Sequence, residues 1–166
     1  IHPVRFNIGF YHNNADNWSL GDVRPVQCQV GISLVGNQNI QVEAIRCNGC
    51  ENLINMNSVR HVLIDVAEAY NMYYTTAFTG SVLYFGSFNS VICGVRVNSL
   101  VVRGTNALGW SWSQGAIITA FELRSANVQY AKGAGNYGGI ADMGLVDYRF
   151  GDISCTNNSN NFFFGG

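Results

Sequence analysis

The stretch NQNIQVEAIRCNGCENLINMNSVRHVLIDVAEAYN, residues 37–71, decides the fold. It holds two short runs of alternating apolar residues, 40–45 and 59–66. Period-two alternation is the mark of a strand with one face buried. Each run follows a polar turn, Gly36-Asn37-Gln38-Asn39 before the first and Asn55-Met56-Asn57-Ser58 before the second. Asn suits such turns because its side chain bonds nearby backbone and tolerates left-handed φ. In this reading Asn39 and Asn57 hold equivalent places in successive coils. Polar turn, short strand, second turn, short strand describes an all-β chain wound as a right-handed parallel β-helix.

The pattern extends outward from there. Val26, Cys28 and Val30 share one face, Gly31 permits a bend, and Ile32 and Leu34 share a face again. Asn-Ser precedes a β-type run at 57–58, 89–90 and 98–99. Residues 117–123 and 140–155 supply the last coils, and residues 67–81 read as an extended loop or a longer coil. The uneven spacing excludes a hexapeptide solenoid and fits coils of about twenty residues or more. A β-sandwich is the alternative, because it too places short strands at intervals of about 8–12 residues. Hairpin chemistry is sparse, however: Asn-Gly occurs between alternating runs only at 48–49, and Asp-Gly is absent. An Asn stacked on an Asn in the next coil would form a hydrogen-bonded ladder along the axis. The expected organisation is an irregular N-terminal segment over 1–25, a β-helix over 26–155 and a tail over 156–166. Within 1–25, residues 4–10 read as a strand, 12–17 as a turn-rich loop and 18–25 as a surface excursion. The tail ends in Phe162-Phe163-Phe164-Gly165-Gly166, expected to cap the stack or pack on another subunit.

Composition narrows the function classes. Charged residues make up 11% of the 166, against about 25% in ordinary domains, while apolar residues reach 48%. The net charge of −1 gives no electrostatic footprint for nucleic acid. No apolar run approaches the roughly 18 residues of a membrane-spanning helix. No signal peptide is visible, and a chain beginning at Ile1 reads as an excised or matured fragment. The five cysteines are an odd number; Cys47-Asn48-Gly49-Cys50 has knuckle spacing without a second pair. Buried thiols formed in a reducing cytoplasm are therefore expected, with no metal and no cofactor. His2, His12, Asp16 and Asp22 match no ligand spacing and read as loop residues.

With its recurring Asn-(Ser)-x-Val-x-x-Val form at 37–71 and 89–98, the chain resembles the β-helix region of phage tailspike and tail-fibre proteins. More distantly it is similar to pectate-lyase-type polysaccharide enzymes. The resemblance is architectural and covers about residues 26–155. It implies a homotrimer on the virion surface, made in the host cytoplasm, that recognises a host surface glycan and in some relatives cleaves it. No catalytic motif carries over.

The residues themselves point to two kinds of sugar chemistry. Sugars present apolar ring faces and hydroxyls, so aromatic platforms among amides suit them. Trp18, Trp110 and Trp112 and the cluster Tyr70, Tyr73 and Tyr74 are candidates for glycan binding. Glycosidic cleavage normally needs two carboxyl groups, about 5–5.5 Å apart for retention or 6.5–9.5 Å for inversion. Asp65 with Glu68 is the leading pair, with Glu43 one coil away and Arg60 and His61 beside them. A ligand-free stalk in a trimeric fibre, and a secreted lyase or hydrolase, are the other readings.

Overall fold

The computed structural model describes residues 1, 3–72, 81–85, 90–103, 108–112, 117–129 and 144–156. Eleven strands follow one another: β1 Ile8–Asn13, β2 Asp16–Val23, β3 Val30–Val35, β4 Gln38–Asn48, β5 Asn52–Asn57, β6 Arg60–Tyr70, β7 Ser81–Phe85, β8 Val91–Arg103, β9 Leu108–Trp112, β10 Ile117–Gln129 and β11 Gly144–Thr156. They sort into two sheets, β1-β3-β5-β7-β9 and β11-β10-β8-β6-β4-β2. Every strand pair is parallel. The chain therefore alternates between two facing sheets and climbs one strand per coil, as a parallel β-helix does. A sandwich of antiparallel hairpins is ruled out for the described residues.

Rows of backbone pairs run along the axis because the register repeats. Phe10, Ile32, Ile54, Leu83 and Trp110 share one row of backbone pairs; His12, Leu34, Met56, Phe85 and Trp112 share the next. In the six-stranded sheet Val42 lies on Ile64, Ile64 on Val97, Val97 on Leu123 and Leu123 on Phe150. A single apolar core runs through these columns. The long strands carry the form apolar-x-apolar-x-x-apolar-x-apolar, beginning at Trp18, Ile40, Val62, Val95, Phe121 and Tyr148. The doubled x-x, as at Asp65-Val66 and Asn98-Ser99, shifts the alternation by one residue and turns the strand around the core. Asn98-Ser99 is thus a bend inside β8, where the sequence suggests a turn between strands.

The coil length is not constant. The first steps are 22 residues, as the Asp16–Gln38 contacts show. The step from Asp65 to Asn98 is 33, that from Arg96 to Glu122 is 26, and that from Ile117 to Gly144 is 27. The 22-residue step corrects one expected equivalence. Asn57 pairs with Val35, whereas Asn39 lies between Asn17 and His61. It also brings the N-terminal segment into the helix: β1 and β2 lie within 1–25, and residues 18–23 are strand, not an excursion.

Among the described residues ten non-glycine residues have positive φ, and all fall in three columns along the axis. Asn14 and Ser58 flank Gly36; Arg5, Gln27 and Asn71 share a column with Gly49; Asn17, Asn39, His61, Ala120 and Asp147 share the third with Gly94. A left-handed residue lets the backbone turn sharply, and Asn, Asp and Gly adopt it at least cost. The expected amide ladder is present in the third column. Asn39 Nδ2 donates to Asn17 Oδ1 at 3.0 Å, and His61 Nδ1 lies 3.2 Å from Asn39 Oδ1.

Candidate functional site

The third left-handed column ends its ladder at His61, and an open groove begins there. Gly94 has φ +67°, and a Cβ on it would stand 2.9 Å from His61 Cδ2. Ala120 follows, so two successive coils carry almost no side chain at the centre of the outer face before Asp147. The resulting trough is about 540 Å³. Its floor is Gly94 and Ala120; His61 and Asp147 stand at its ends, and Arg96, Glu122, Arg149 and Tyr148 flank it. Tyr148 is 50% exposed although its row partner Phe121 is buried.

Asn39 uses its amide nitrogen on Asn17, so its oxygen faces His61 as acceptor. A neutral His61 that donates Nδ1–H to this oxygen presents Nε2 as an acceptor. A side chain held this way can receive a hydroxyl hydrogen from a ligand.

Beside His61 lies a charged row. Glu122 accepts from Arg96 Nε through one carboxylate oxygen and from Arg124 Nε at 3.0 Å through the other. The bond from Arg124, partly opposed by desolvation and reinforced by Arg96, holds the Glu122 carboxyl below its ordinary value of 4.5. The folded-state value lies below the unfolded one. The network's contribution is therefore complete above the ordinary carboxylate range and is lost as pH falls through the folded value. Carbon-detected NMR should find Glu122 titrating below 4.5, and Arg124→Gln should raise that midpoint toward 4.5. A Glu122 midpoint unchanged by Arg124→Gln would remove the network from the account.

The candidate acids separate into two environments. Val42 pairs with Ile64 and Ala44 with Val66, which puts Glu43 beside Asp65 in the adjoining coil. Neighbouring strands lie about 4.8 Å apart, so the two acids are neighbours on one row, with Glu43 Oε2 over Gly21 of the preceding coil. Asp65 Oδ1 accepts from Asn98 Nδ2 at 2.7 Å, which orients that carboxylate. Glu68 is elsewhere engaged. Arg46 Nε meets it at 3.1 Å, and the same guanidinium reaches Asp22 at 2.9 Å, which Arg24 also contacts. The expected partner of Asp65 is thus tied into an Arg24-Asp22-Arg46-Glu68 chain, and Glu43 stands next to Asp65 instead.

The aromatic candidates do not join this face. Tyr70 is half-buried at the far end of β6, on the row of Asn48 and Arg103. Trp110 and Trp112 belong to the other sheet, on the rows of the buried residues Leu83 and Phe85. Trp18 pairs with Ile40 and stacks on His12 with centroids 4.2 Å apart. Tyr73, Tyr74 and the Phe162–Phe164 tail lie outside the described residues. His12 is thus taken up by that stack, Asp16 by Gln38 and Asp22 by its arginines. Among the described residues no group of three or more His, Cys, Asp or Glu is placed to hold a metal ion. Cys28, Cys47 and Cys50 are buried free thiols, with Cys50 N–H donating to Cys47 Sγ at 3.1 Å. Hydrogen bonding with Cys50 and then burial push the Cys47 thiol up, so it stays protonated.

Arg96, Glu122, Arg124, Tyr148 and Arg149 are functional candidates that the sequence reading passes over. A signal for them exists. The residue before the first apolar position of each repeat reads Asn17, Asn39, His61, Gly94, Ala120, Asp147, and the residue after it reads Ser19, Gln41, Leu63, Arg96, Glu122, Arg149. Comparison with family models, with curated proteins and with solved structures finds no match to this chain.

Proposed function

We propose that this chain is the glycan-recognising β-helix of a phage tailspike or tail fibre, acting as a homotrimer on the virion surface. The observation that carries the reading is the groove over Gly94 and Ala120. It is an open trough along a rigid sheet face, suited to an extended polymer and not to a small enclosed ligand. Its flanks combine a half-exposed tyrosine with hydrogen-bonding groups of both polarities, the combination that sugar rings and hydroxyls require. The experiment is retention of polysaccharides on the immobilised protein across a panel of bacterial capsules and O-antigens. Specific retention supports the reading; no retention across the panel would favour a ligand-free stalk. Sedimentation tests assembly: a homotrimer sediments at three times the 18.2 kDa chain mass, and a monomer at high concentration would remove the fibre.

A second reading, that the same face cleaves its glycan, is favoured by one observation, the side-by-side placement of Glu43 and Asp65. It predicts that Glu43→Gln and Asp65→Asn each lower release of reducing ends on the order of 10²- to 10⁴-fold while retention persists. Glu68→Gln should change turnover far less, because its carboxylate is held by Arg46. Absorbance at 232 nm accompanying the reducing ends would mark elimination; reducing ends alone would mark hydrolysis. Retention of the wild-type protein's ligands without any new ends leaves an adhesin.

A further inference from the structure

We propose that the glycan taken by the groove is anionic, with a carboxylate or sulfate seated against Arg149; this rests on the glycan reading above. The charge inventory of the groove carries it. Three guanidinium groups, Arg96, Arg124 and Arg149, stand around one carboxylate row. Glu122 gives one oxygen to Arg96 and the other to Arg124. Arg149 pairs with Glu122 in backbone register, yet it has no ion pair among the described residues. Asp147, two residues earlier, is the other acid of the groove and forms no ion pair with it. With three guanidinium groups against Glu122 and Asp147, the groove carries one more cation than acids, and Arg149 is the guanidinium left without an ion pair among the described residues.

This imbalance is local. The outer face over β2, β4 and β6 carries Asp16, Asp22, Glu43, Asp65 and Glu68 against Arg24, Arg46 and Arg60. The chain as a whole has net charge −1, so a positive excess beside the groove is not a consequence of composition. An anionic substituent would complete the alternation along the row, Arg96, Glu122, Arg149, ligand. Guanidinium suits it because the planar fork can meet two oxygens of a carboxylate or sulfate together. A neutral His61 presents Nε2 as an acceptor at the other end of the floor, which suits a sugar hydroxyl and not the acid. The ligand is oriented by the difference, with its acidic group toward β11 and a hydroxyl toward β6.

The test uses matched glycans. Each retained polysaccharide is compared with its carboxyl-reduced and its desulfated derivative, and chondroitin 4-sulfate with the same two derivatives serves as a defined probe. The expected result is that removing the one relevant acidic group lowers affinity by roughly tenfold or more. Which derivative loses binding tells carboxylate from sulfate. Arg149→Gln should cause a similar loss for the acidic form and none for the neutral form, with an unchanged melting temperature. Arg103→Gln, exposed on the same sheet outside the groove, should leave both affinities alone. Equal binding of acidic and neutral forms overturns the anionic site and leaves the glycan reading intact. Equal loss of both forms in Arg149→Gln also overturns it, since the side chain then acts on the fold and not on charge. No retention of any polysaccharide overturns both readings together.

Discussion

Phe85→Ala lowers the free energy of unfolding by about 3–5 kcal/mol, the range for truncating a fully buried aromatic. Phe85 is 1% exposed on β7 and shares its row with Met56. Its ring meets Phe121 of the opposite sheet with centroids 5.2 Å apart at 75°. Phe121 in turn meets Phe150 on the next coil at 5.7 Å and 73°. The pair thus joins the two sheets, and both angles are the edge-to-face geometry that aromatic quadrupoles favour. Removing one ring leaves a cavity between two stiff sheets that have little freedom to collapse around it. The measurement is the urea midpoint of variant and wild type, read after full equilibration because parallel pairings form slowly. A loss below about 1 kcal/mol would mean that the site relaxes freely, contrary to a packed interior. In Phe85→Ala/Phe121→Ala the two losses should fall short of additive by about 0.5–1.5 kcal/mol, the worth of such a ring pair.

Gly94→Val lowers stability by about 2–5 kcal/mol and also fills the groove. Two effects add. At φ +67° a β-branched residue is in the least favourable backbone region, and the new Cβ stands 2.9 Å from the His61 ring. His61 cannot move away without leaving Asn39. The comparison that isolates the backbone part is Ala120→Gly, one coil along in the same column at φ 52°. There the substitution relieves strain, offset by the extra freedom of glycine in the unfolded chain. Stability should rise by no more than about 1 kcal/mol. Opposite signs in one column are the signature of the left-handed row. If both variants melt with the wild type, the row has no energetic role.

Much of the architecture is legible in the sequence. Alternation of apolar residues over 40–45 and 59–66 is a local property, and it marks Ile40, Val42, Val62 and Ile64 as inward, while the shift at Asp65-Val66 turns Ala67 and not Val66 into the core. The Asn-rich turns pointed to stacked amides, and Asn17 and Asn39 form such a step. The sequence also held the repeat beginning at Trp18, Ile40, Val62, Val95, Phe121 and Tyr148. Following Asn-containing turns instead led to Asn39 being matched with Asn57, which belongs to the other sheet. The same choice left residues 18–23 as an excursion, although Trp18-x-Leu20-x-x-Val23 fits the repeat.

Adjacency across coils was less accessible. Glu68 looked like the partner of Asp65 because they are three residues apart. In the fold the shift of alternation at Asp65-Val66 separates their surroundings, and Arg46 from the preceding coil takes Glu68. The groove is assembled from four coils, so no contiguous stretch contains it.

By itself the sequence favoured a parallel β-helix over a β-sandwich and marked many of the side chains that turn inward. Those properties follow from period-two alternation and from residues that tolerate left-handed turns, both acting within a few positions of chain. Only the tertiary structure decided that Glu43 lies beside Asp65, that Glu122 is shared by Arg96 and Arg124, and that His61 looks onto an empty floor. The reason is that coil steps vary from 22 to 33 residues while the strands stay in register. Lengthening a loop costs little closure entropy, so the chain can change the count between coils without disturbing the stack. Hydrogen bonding between strands, not distance along the sequence, then chooses which outward side chains meet.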